Sequence, residues 1–235
     1  VEMVEIAQTP RDCAEKAEVV ITMLPNGKIL KSVADETIQY MKEGSIFLDC
    51  STVDVASAKS VAEIAKNHTV IPLDAPVSGG IGGAKEGTLT FMVGGPDEGF
   101  IKVKELFDIM GQKAVHCGVS GNGQSAKICN NMILGATMIA TCEAFALADK
   151  LGLDRQAMFD VVSTSSGYSW SMNAYCPAPG IGPQTPSDNN YVPGFSSDLM
   201  LKDLTLSQIA AEDVDADPPM GYLAMNLYKT FVEQE

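Results

Sequence analysis

Strand signals and helix signals alternate along the first half of the chain, and this alternation constrains the fold more than any other feature. Five apolar, β-branched runs predict strands, at residues 19–24, 45–52, 70–74, 89–93 and 114–117. Helical patterns at residues 54–66 and 96–110 separate some of these runs. Because such alternation is typical of βαβ units, we predict an α/β half with a mostly parallel sheet.

The second half of the chain has the periodicity of helices. Residues 124–151 contain no proline, and 16 of the 23 residues at positions 126–148 are apolar. This pattern predicts one long helix, apolar on most sides and buried within a domain or a dimer. The run is interrupted by Lys127, Asn130, Asn131 and Glu143. They argue against a membrane-spanning segment.

The domain organisation follows from the switch in periodicity near residues 118–123. We predict two domains, 1–120 and 121–235, and two further helices at residues 153–163 and 198–211. The segment 175–195 is rich in proline, glycine and asparagine, which predicts a long loop. Because the long helix is apolar on most faces, we also expect a homo-oligomer that packs through the helical half.

Charge and cysteine usage exclude several classes of function. Lysine and arginine number 16 against 30 aspartate and glutamate, which gives a net charge of −14. A chain this acidic is unsuited to sequence-independent binding of nucleic acid or of an anionic membrane surface. The six cysteines form no CxxC pair, and the chain has two histidines, so we expect no metal site. A pocket for a small anion needs only one local lysine and remains compatible with this charge.

A glycine-rich segment follows the third predicted strand. It runs from Asp74 to Ala84 and contains Ser78, Gly79 and Gly80. Ligands bind at the carboxyl ends of strands in open α/β sheets, and glycine N–H groups can approach a carboxylate or phosphate closely. We interpret the segment as an anion-binding loop to which Ser78 adds a hydroxyl donor. An ordinary flexible glycine loop is the alternative.

A second group of polar residues lies at the start of the long helix. Lys127 and Asn131 are four residues apart and therefore share one helix face. A partly buried lysine is suited to proton transfer, and an asparagine one turn later can orient a substrate hydroxyl or the ammonium group. The alternative is a surface lysine whose stem lies along the helix.

A third group follows the predicted long loop. The aromatic residue Phe195, preceded by Gly194, lies at the end of this loop. Lys202 follows on the next predicted helix, with Asp203 beside it. A solvated Lys–Asp helix face is the alternative for this pair.

Taken in this order, the three groups resemble the β-hydroxyacid dehydrogenase family. Residues 74–95 match that family's substrate loop, D-x-P-V-S-G-G…G…G-x-L-x-x-M-x-G-G. Residues 121–131 match its catalytic helix, G-x-G-x-x-x-K-x-x-N-N. Within the family the chain is most similar to the 3-hydroxyisobutyrate dehydrogenases, over nearly all of its 235 residues.

The resemblance implies both a fold and a reaction. The fold would be a partial Rossmann-type NAD-binding domain followed by an all-α domain like the C-terminal domain of 6-phosphogluconate dehydrogenase. The reaction would be the NAD-dependent oxidation of 3-hydroxyisobutyrate to methylmalonate semialdehyde, a step of valine catabolism in the mitochondrial matrix. The enzyme would be a homodimer or homotetramer.

The resemblance also assigns roles to individual residues. The catalytic residues would be Lys127, the general acid/base, and Asn131, its helper. The substrate carboxylate would be bound by Ser78, Gly79 and Gly80. The cofactor would be contacted by Leu24, Pro25, Thr52, Lys202 and Phe195.

The chain departs from the family pattern in the dinucleotide-binding motif. The family opens with a strand and a G-x-G-x-x-G turn that holds the pyrophosphate. No such motif lies in residues 1–60, and the C-terminal helices are shorter than in the family. From the sequence we therefore expect that this chain by itself binds NAD weakly or not at all.

Two other functions remain open at this point. One is a sister enzyme, such as tartronate semialdehyde reductase or another NADP-linked aldehyde reductase. The other is a non-catalytic fragment that serves as an oligomerisation or binding module. The presence of Lys127, Asn131 and Ser78 argues against the second.

Overall fold

The computed structural model describes residues 4–192 and 194–234. The chain divides into two compact units, of which the first ends at Lys127 and the second begins at Ile128. The predicted boundary between residues 120 and 121 lies a few residues earlier and stays a prediction. The long helix begins in the first unit and continues into the second.

The first unit alternates helices and strands. Its elements are α1 (Pro10–Ala14), β1 (Val19–Thr22), α2 (Gly27–Ile38), β2 (Ile46–Asp49), α3 (Val55–Asn67), β3 (Ile71–Asp74), β4 (Val77–Ser78), α4 (Gly80–Glu86), β5 (Leu89–Gly94), α5 (Asp97–Lys102), α6 (Lys104–Met110), β6 (Gly111–Gly118) and the start of α7 (Asn122–Leu151). The predicted α/β class is confirmed. The described residues contain six strands rather than the five predicted, because the two-residue β4 is too short to leave an apolar pattern.

The strands form one sheet with the order β1-β2-β3-β5-β4, and β6 pairs with β5. Strands β1, β2 and β3 are parallel to one another, and β5 is parallel to β6. The pairings of β5 with β3 and with β4 are antiparallel. The carboxyl ends of β1, β2 and β3 therefore lie at one edge of the sheet.

Helices cover the sheet with apolar faces, and side-chain caps fix where two of them begin. Asn26 caps α2 by accepting a hydrogen bond from Ile29, and Asp54 caps α3 by accepting one from Ser57. One buried cluster includes Leu30, Ala34, Ile38, Phe47, Val61 and Ala65, and a second includes Leu48, Leu73, Phe91, Val93, Val103 and Phe107. Each large apolar side chain buried in this way contributes about 1.5–3 kcal/mol.

Two predicted segments differ in the structure. The helix predicted at 96–110 is split at Val103, which leaves helical geometry at φ −99° and ψ 9°. The break allows Phe100 and Phe107 to pack against the same cluster, with ring centroids 5.9 Å apart. The glycine loop is not open throughout, because α4 forms within it. Gly79 and Gly87 adopt positive φ values of 131° and 66° at the two ends of α4, which glycine tolerates.

The second unit is helical. It contains the rest of α7, α8 (Arg155–Val162), α9 (Trp170–Asn173), a 3₁₀ turn (Pro186–Asn189), α10 (Ser197–Glu212) and α11 (Pro219–Val232). The predicted helices at 153–163 and 198–211 are confirmed as α8 and α10. The predicted loop at 175–195 is not wholly irregular. Thr185 and Asp188 form a capping box that stabilises the 3₁₀ turn.

The helix α7 has an unusual distribution of exposed and buried residues. Among the described helices it alone is long and apolar enough to cross a membrane. One such helix is weak evidence of a membrane span, because buried core helices have the same length and composition. Within the chain, the polar side chains of Lys127 and Asn131 are buried, whereas Ile133, Leu147 and Leu151 are exposed. Exposed apolar side chains on a helix mark a surface that another protein surface can cover.

Candidate active site

Three polar residues end three parallel strands at the same level. Thr22, Asp49 and Asp74 are the last residues of β1, β2 and β3, and the strand register pairs Thr22 with Asp49 and Asp49 with Asp74. All three are buried. Buried polar groups need hydrogen-bond partners, so this row defines a polar edge on an otherwise apolar sheet.

The Asp49 carboxylate organises the chain after β1 and β2. Its Oδ1 accepts hydrogen bonds from Thr22 Oγ1 at 2.8 Å and from Ser51 Oγ at 2.6 Å. Ser51 Oγ in turn accepts a hydrogen bond from the backbone N–H of Leu24 at 2.7 Å. Burial raises the pKa of Asp49 to about 6, against the smaller opposing effect of these donors.

The Asp74 carboxylate binds the start of α7. Its Oδ1 accepts from the backbone N–H of Gly121 at 2.7 Å, and its Oδ2 accepts from the backbone N–H of Gln124 at 3.0 Å. These N–H groups are among those that a helix N-terminus leaves without an intrahelical partner. Burial raises the pKa of Asp74 to about 6, and the two N–H donors oppose the shift.

The Gln124 side chain makes a second link between α7 and the strands. It is fully buried, its Oε1 accepts from the backbone N–H of Val53 at 3.1 Å, and its Nε2 donates to the carbonyl oxygen of Ser51 at 2.8 Å. The segment after β2 is thereby attached to the first turn of α7. This role was not predicted from the sequence.

Lys127 lies one helical turn after Gln124 on α7. It is only 7% exposed, and Asn131, four residues later on the same helix, is 1% exposed. The interpretation of Lys127 as an ordinary surface lysine is therefore wrong. A buried lysine amine can exchange a proton with a bound hydroxyl group.

Within the second unit, Asn131 is held by its neighbours. Its Nδ2 donates to Asp203 Oδ2 at 2.6 Å, and its Oδ1 accepts from Asn130 Nδ2 at 2.9 Å. Asp203 lies on α10, is 2% exposed and also forms an ion pair with Lys202 at 3.1 Å. The alternative of a solvated Lys–Asp face is therefore wrong for Asp203. Its apolar neighbours on α10 were the signal that could have predicted its burial.

The other residues predicted to bind substrate or cofactor lie on both units. Ser78 ends β4, and Gly79 and Gly80 begin α4, to whose N-terminus no side chain gives a capping hydrogen bond. Phe195 is exposed just before α10, in the second unit with Lys202 and Asn131. Ser78, Gly79, Gly80 and Lys127 belong to the first unit.

The described residues fit the nicotinamide end of a dinucleotide. Leu24 and Pro25 follow β1 and Thr52 follows β2, so they lie at the carboxyl edge where open α/β sheets bind ligands. Leu24 and Thr52 are half-buried, and Pro25 and Met23 are exposed. Half-buried and exposed apolar side chains at this edge can pack against a flat ring.

Two family models together cover the chain. Residues 2–119 match the NAD binding domain of 6-phosphogluconate dehydrogenase. Residues 121–235 match the NAD-binding domain of NADP-dependent 3-hydroxyisobutyrate dehydrogenase. The predicted two-part architecture, NAD-binding followed by helical, agrees with these matches.

Individual relatives give the same assignment. The chain is 45% identical to 3-hydroxyisobutyrate dehydrogenase of Pseudomonas aeruginosa, over 97% of this chain and 78% of that protein. It is 43% identical to the mitochondrial 3-hydroxyisobutyrate dehydrogenase of Homo sapiens, over 96% of this chain and 68% of that protein. The solved structure of Mycobacterium tuberculosis 3-hydroxyisobutyrate dehydrogenase with L-serine superposes with a TM-score of 0.92 at 40% identity, covering 97% of this chain and 78% of that one. The chain belongs to the 3-hydroxyisobutyrate dehydrogenase family of NAD-dependent oxidoreductases.

Proposed function

We propose that the chain oxidises 3-hydroxyisobutyrate to methylmalonate semialdehyde, with Lys127 as the general acid/base. The observation that supports this most is the burial of Lys127 one helical turn before a buried Asn131. Lysine and asparagine at this spacing are also the pair that the family motif contains. A buried amine can accept a proton from a bound hydroxyl group, because burial disfavours its charged form and makes the neutral base available.

Proton transfer is the task of Lys127 in this proposal. A bound NAD would supply the acceptor for the hydride that leaves the carbinol carbon of the substrate. The substrate O–H bond breaks at the same time, and its proton moves to the neutral Nζ of Lys127. In the reverse direction the Lys127 ammonium donates to the carbonyl oxygen, where it also stabilises the developing negative charge.

Asn131 keeps the hydroxyl group in the orientation for this transfer. Asp203 and Asn130 occupy one donor and one acceptor of its amide, which fixes the amide plane. An amide carries two N–H donors and two acceptor lone pairs, so further hydrogen bonds remain for the substrate hydroxyl or the Lys127 ammonium.

The substrate carboxylate is bound by Ser78, Gly79 and Gly80. The first N–H groups of α4 have no intrahelical acceptor and no side-chain cap, and Ser78 adds a hydroxyl donor beside them. The related Mycobacterium tuberculosis structure was solved with L-serine. L-Serine has a carboxylate and a hydroxyl group on adjacent carbons, as 3-hydroxyisobutyrate does, which favours small 3-hydroxy acids as the substrate class.

Five residues contact the cofactor in this proposal, namely Leu24, Pro25, Thr52, Lys202 and Phe195. The expectation of weak NAD binding by this chain stays a prediction, so turnover is measured at saturating NAD, and calorimetry with NAD tests the expectation. A micromolar dissociation constant would contradict it.

The assembly and the location are further parts of the proposal. The exposed apolar residues on α7 favour a homodimer or homotetramer, which sedimentation at micromolar concentration tests. Relatives include proteins named as mitochondrial and proteins from bacteria. We infer the mitochondrial matrix from the mitochondrial relatives, and fractionation of the source cells tests this location.

The proposed reaction is tested by following NADH formation with a panel of hydroxy acids. We expect 3-hydroxyisobutyrate to give the highest kcat/KM and L-serine to give a far lower value. We also expect a far lower kcat/KM for the reduction of tartronate semialdehyde. A preference for tartronate semialdehyde with NADPH would replace the proposed substrate. An absence of turnover with every member of the panel in protein that binds NAD would contradict an enzymatic role.

A further inference from the structure

The polar edge of the sheet is more elaborate than a helix start requires. A single side-chain cap satisfies one or two N–H groups at the start of a helix. Elsewhere in this chain one exposed residue supplies such a cap, as Asp154 does for α8. At α7, a buried carboxylate and a buried amide act together. Asp74 accepts from Gly121 and Gln124, and Gln124 bonds to Val53 and Ser51.

The contacts join parts of the chain that are far apart in sequence. Asp74 and Gly121 are separated by 47 positions, and Gln124 and Val53 by 71. Through Ser51 the same network reaches Asp49. The ends of β2 and β3 are thus bonded to one turn of α7.

Two glycines allow this close approach. A side chain at Gly123 would overlap the carbonyl oxygens of Asp74 and Met92, and a side chain at Gly94 would lie 2.6 Å from Asp74 Oδ1 and 2.7 Å from the backbone nitrogen of Gly123. The backbone of α7 therefore lies directly on the ends of β3 and β5. The first turn of the helix has little freedom to shift or rotate.

We propose that Asp74 and Gln124 are positioning residues for Lys127, because they fix the turn of α7 from which the lysine projects. Lys127 follows Gln124 by three residues, so a change in the axis or rotation of this turn displaces Nζ directly. The inference rests on the proposed role of Lys127 as general acid/base. Neither residue touches the reacting atoms in this proposal, and both act through the backbone of α7.

The test begins with Asp74→Asn. The amide has one acceptor oxygen in place of two, and its NH₂ group faces one of the two backbone N–H donors. We expect kcat per folded enzyme to fall about 10- to 100-fold, since a displacement near 1 Å can reduce the rate by that amount, while KM for NAD stays within about twofold. Asp154→Asn makes the same substitution at the cap of a different helix and is the matched control, with kcat unchanged.

A double-mutant cycle distinguishes positioning from a general loss of structure. If Asp74 acts through Lys127, Asp74→Asn lowers the residual kcat of Lys127→Ala by less than about twofold. An Asp74→Asn enzyme that is less stable but has normal kcat when folded would overturn the inference and leave the proposed function intact. If Asp74→Asn lowered kcat by the same factor in the parent and in Lys127→Ala, the inference would be overturned as well.

Two further outcomes complete the test. A Lys127→Ala enzyme with normal kcat would contradict the proposed function itself, and the positioning role with it, whatever Asp74→Asn does. If Asp74→Asn does not fold, Gln124→Met, which keeps the side-chain length and removes both bonds, is put through the same cycle. We expect Gln124→Met to lower kcat about 10- to 100-fold in the parent and by less than about twofold in Lys127→Ala.

Discussion

The side-chain amide of Asn131 donates from Nδ2 to Asp203 Oδ2 at 2.6 Å, and both residues are buried in the helical unit. Removing the carboxylate would leave a buried amide N–H without its acceptor. We expect Asp203→Ala to lower the free energy of unfolding by about 1–3 kcal/mol and to lower kcat as the Asn131 amide loses its orientation. Urea denaturation measures the first effect, and initial rates measure the second.

The control for this variant is Asp217→Ala. Asp217 is exposed in the turn before α11, so we expect a change within about 0.5 kcal/mol. Equal effects of the two substitutions would show that the Asn131–Asp203 bond contributes no stability of its own.

Lys127→Ala is expected to lower kcat by roughly 10² to 10⁴-fold, the usual contribution of a general acid/base. NAD affinity should barely change, because the lysine is assigned to the substrate. Lys127→Arg should not restore activity, since the guanidinium group stays protonated. If Lys127→Ala kept near-normal kcat and Lys202→Ala abolished it, the catalytic lysine would have been assigned wrongly.

The buried carboxylate of Asp49 gives a pH dependence of stability with a definite sign. Burial raises its pKa from 3.8 to about 6, so between these values the folded state holds a proton that the unfolded chain releases. The stability from this group is therefore greatest at low pH and is lost as the pH rises through about 6. The side chain in Asp49→Asn cannot ionise. We therefore expect its free energy of unfolding, relative to that of the parent, to be about 2 kcal/mol higher at about pH 8 than at about pH 4.

Urea titrations of both proteins at the two pH values measure this difference. Asp74, whose pKa is raised in the same direction, is present in both proteins, and only the small part of its shift that comes from the Asp49 charge differs between them. The same change in unfolding free energy at both pH values would mean that Asp49 titrates normally in the folded protein.

Gly123→Ala tests the contact between α7 and the strand ends by packing alone. The added methyl group would overlap the carbonyl oxygens of Asp74 and Met92, so we expect a loss of about 1–3 kcal/mol in the free energy of unfolding. Gly82→Ala is the control for stability, because no atom lies within 4 Å of a Cβ at that position. Thermal unfolding of the two variants gives the comparison, and similar midpoints would contradict the close approach.

Local pattern was enough to predict many of the elements, but not α2, α11 or the site contacts. The β-branched run before Pro25 and the apolar stretch of α7 encode their own conformation, and both were predicted. The bonds from Asp74 to Gly121 and from Asn131 to Asp203 span 47 and 72 positions. A pattern over a short window cannot reveal pairings between residues this far apart. The sequence therefore predicted none of the hydrogen bonds of Asp74, Gln124 and Asp203.

The resemblance to a family supplied what the pattern did not. It assigned the general acid/base role to Lys127, for which the pattern had left a surface lysine as the alternative, and the burial of that side chain is what the proposed role requires. It did not supply the break at Val103 or the formation of α4, because both depend on how the segments pack on the sheet. Tertiary packing decides such details against local propensity.

The uninterrupted course of α7 restricts how this chain can change in length. One residue inserted between Lys127 and Asn131 would turn the second side chain by about 100° and move it about 1.5 Å along the axis. It would then point from a different side of the helix, and no repacking nearby could restore the pair. The described residues between α9 and α10 do not form one continuous helix, so an inserted residue there does not rotate a helix face. We therefore expect insertions and deletions among natural variants to accumulate at residues 175–195 and to be absent from residues 121–131.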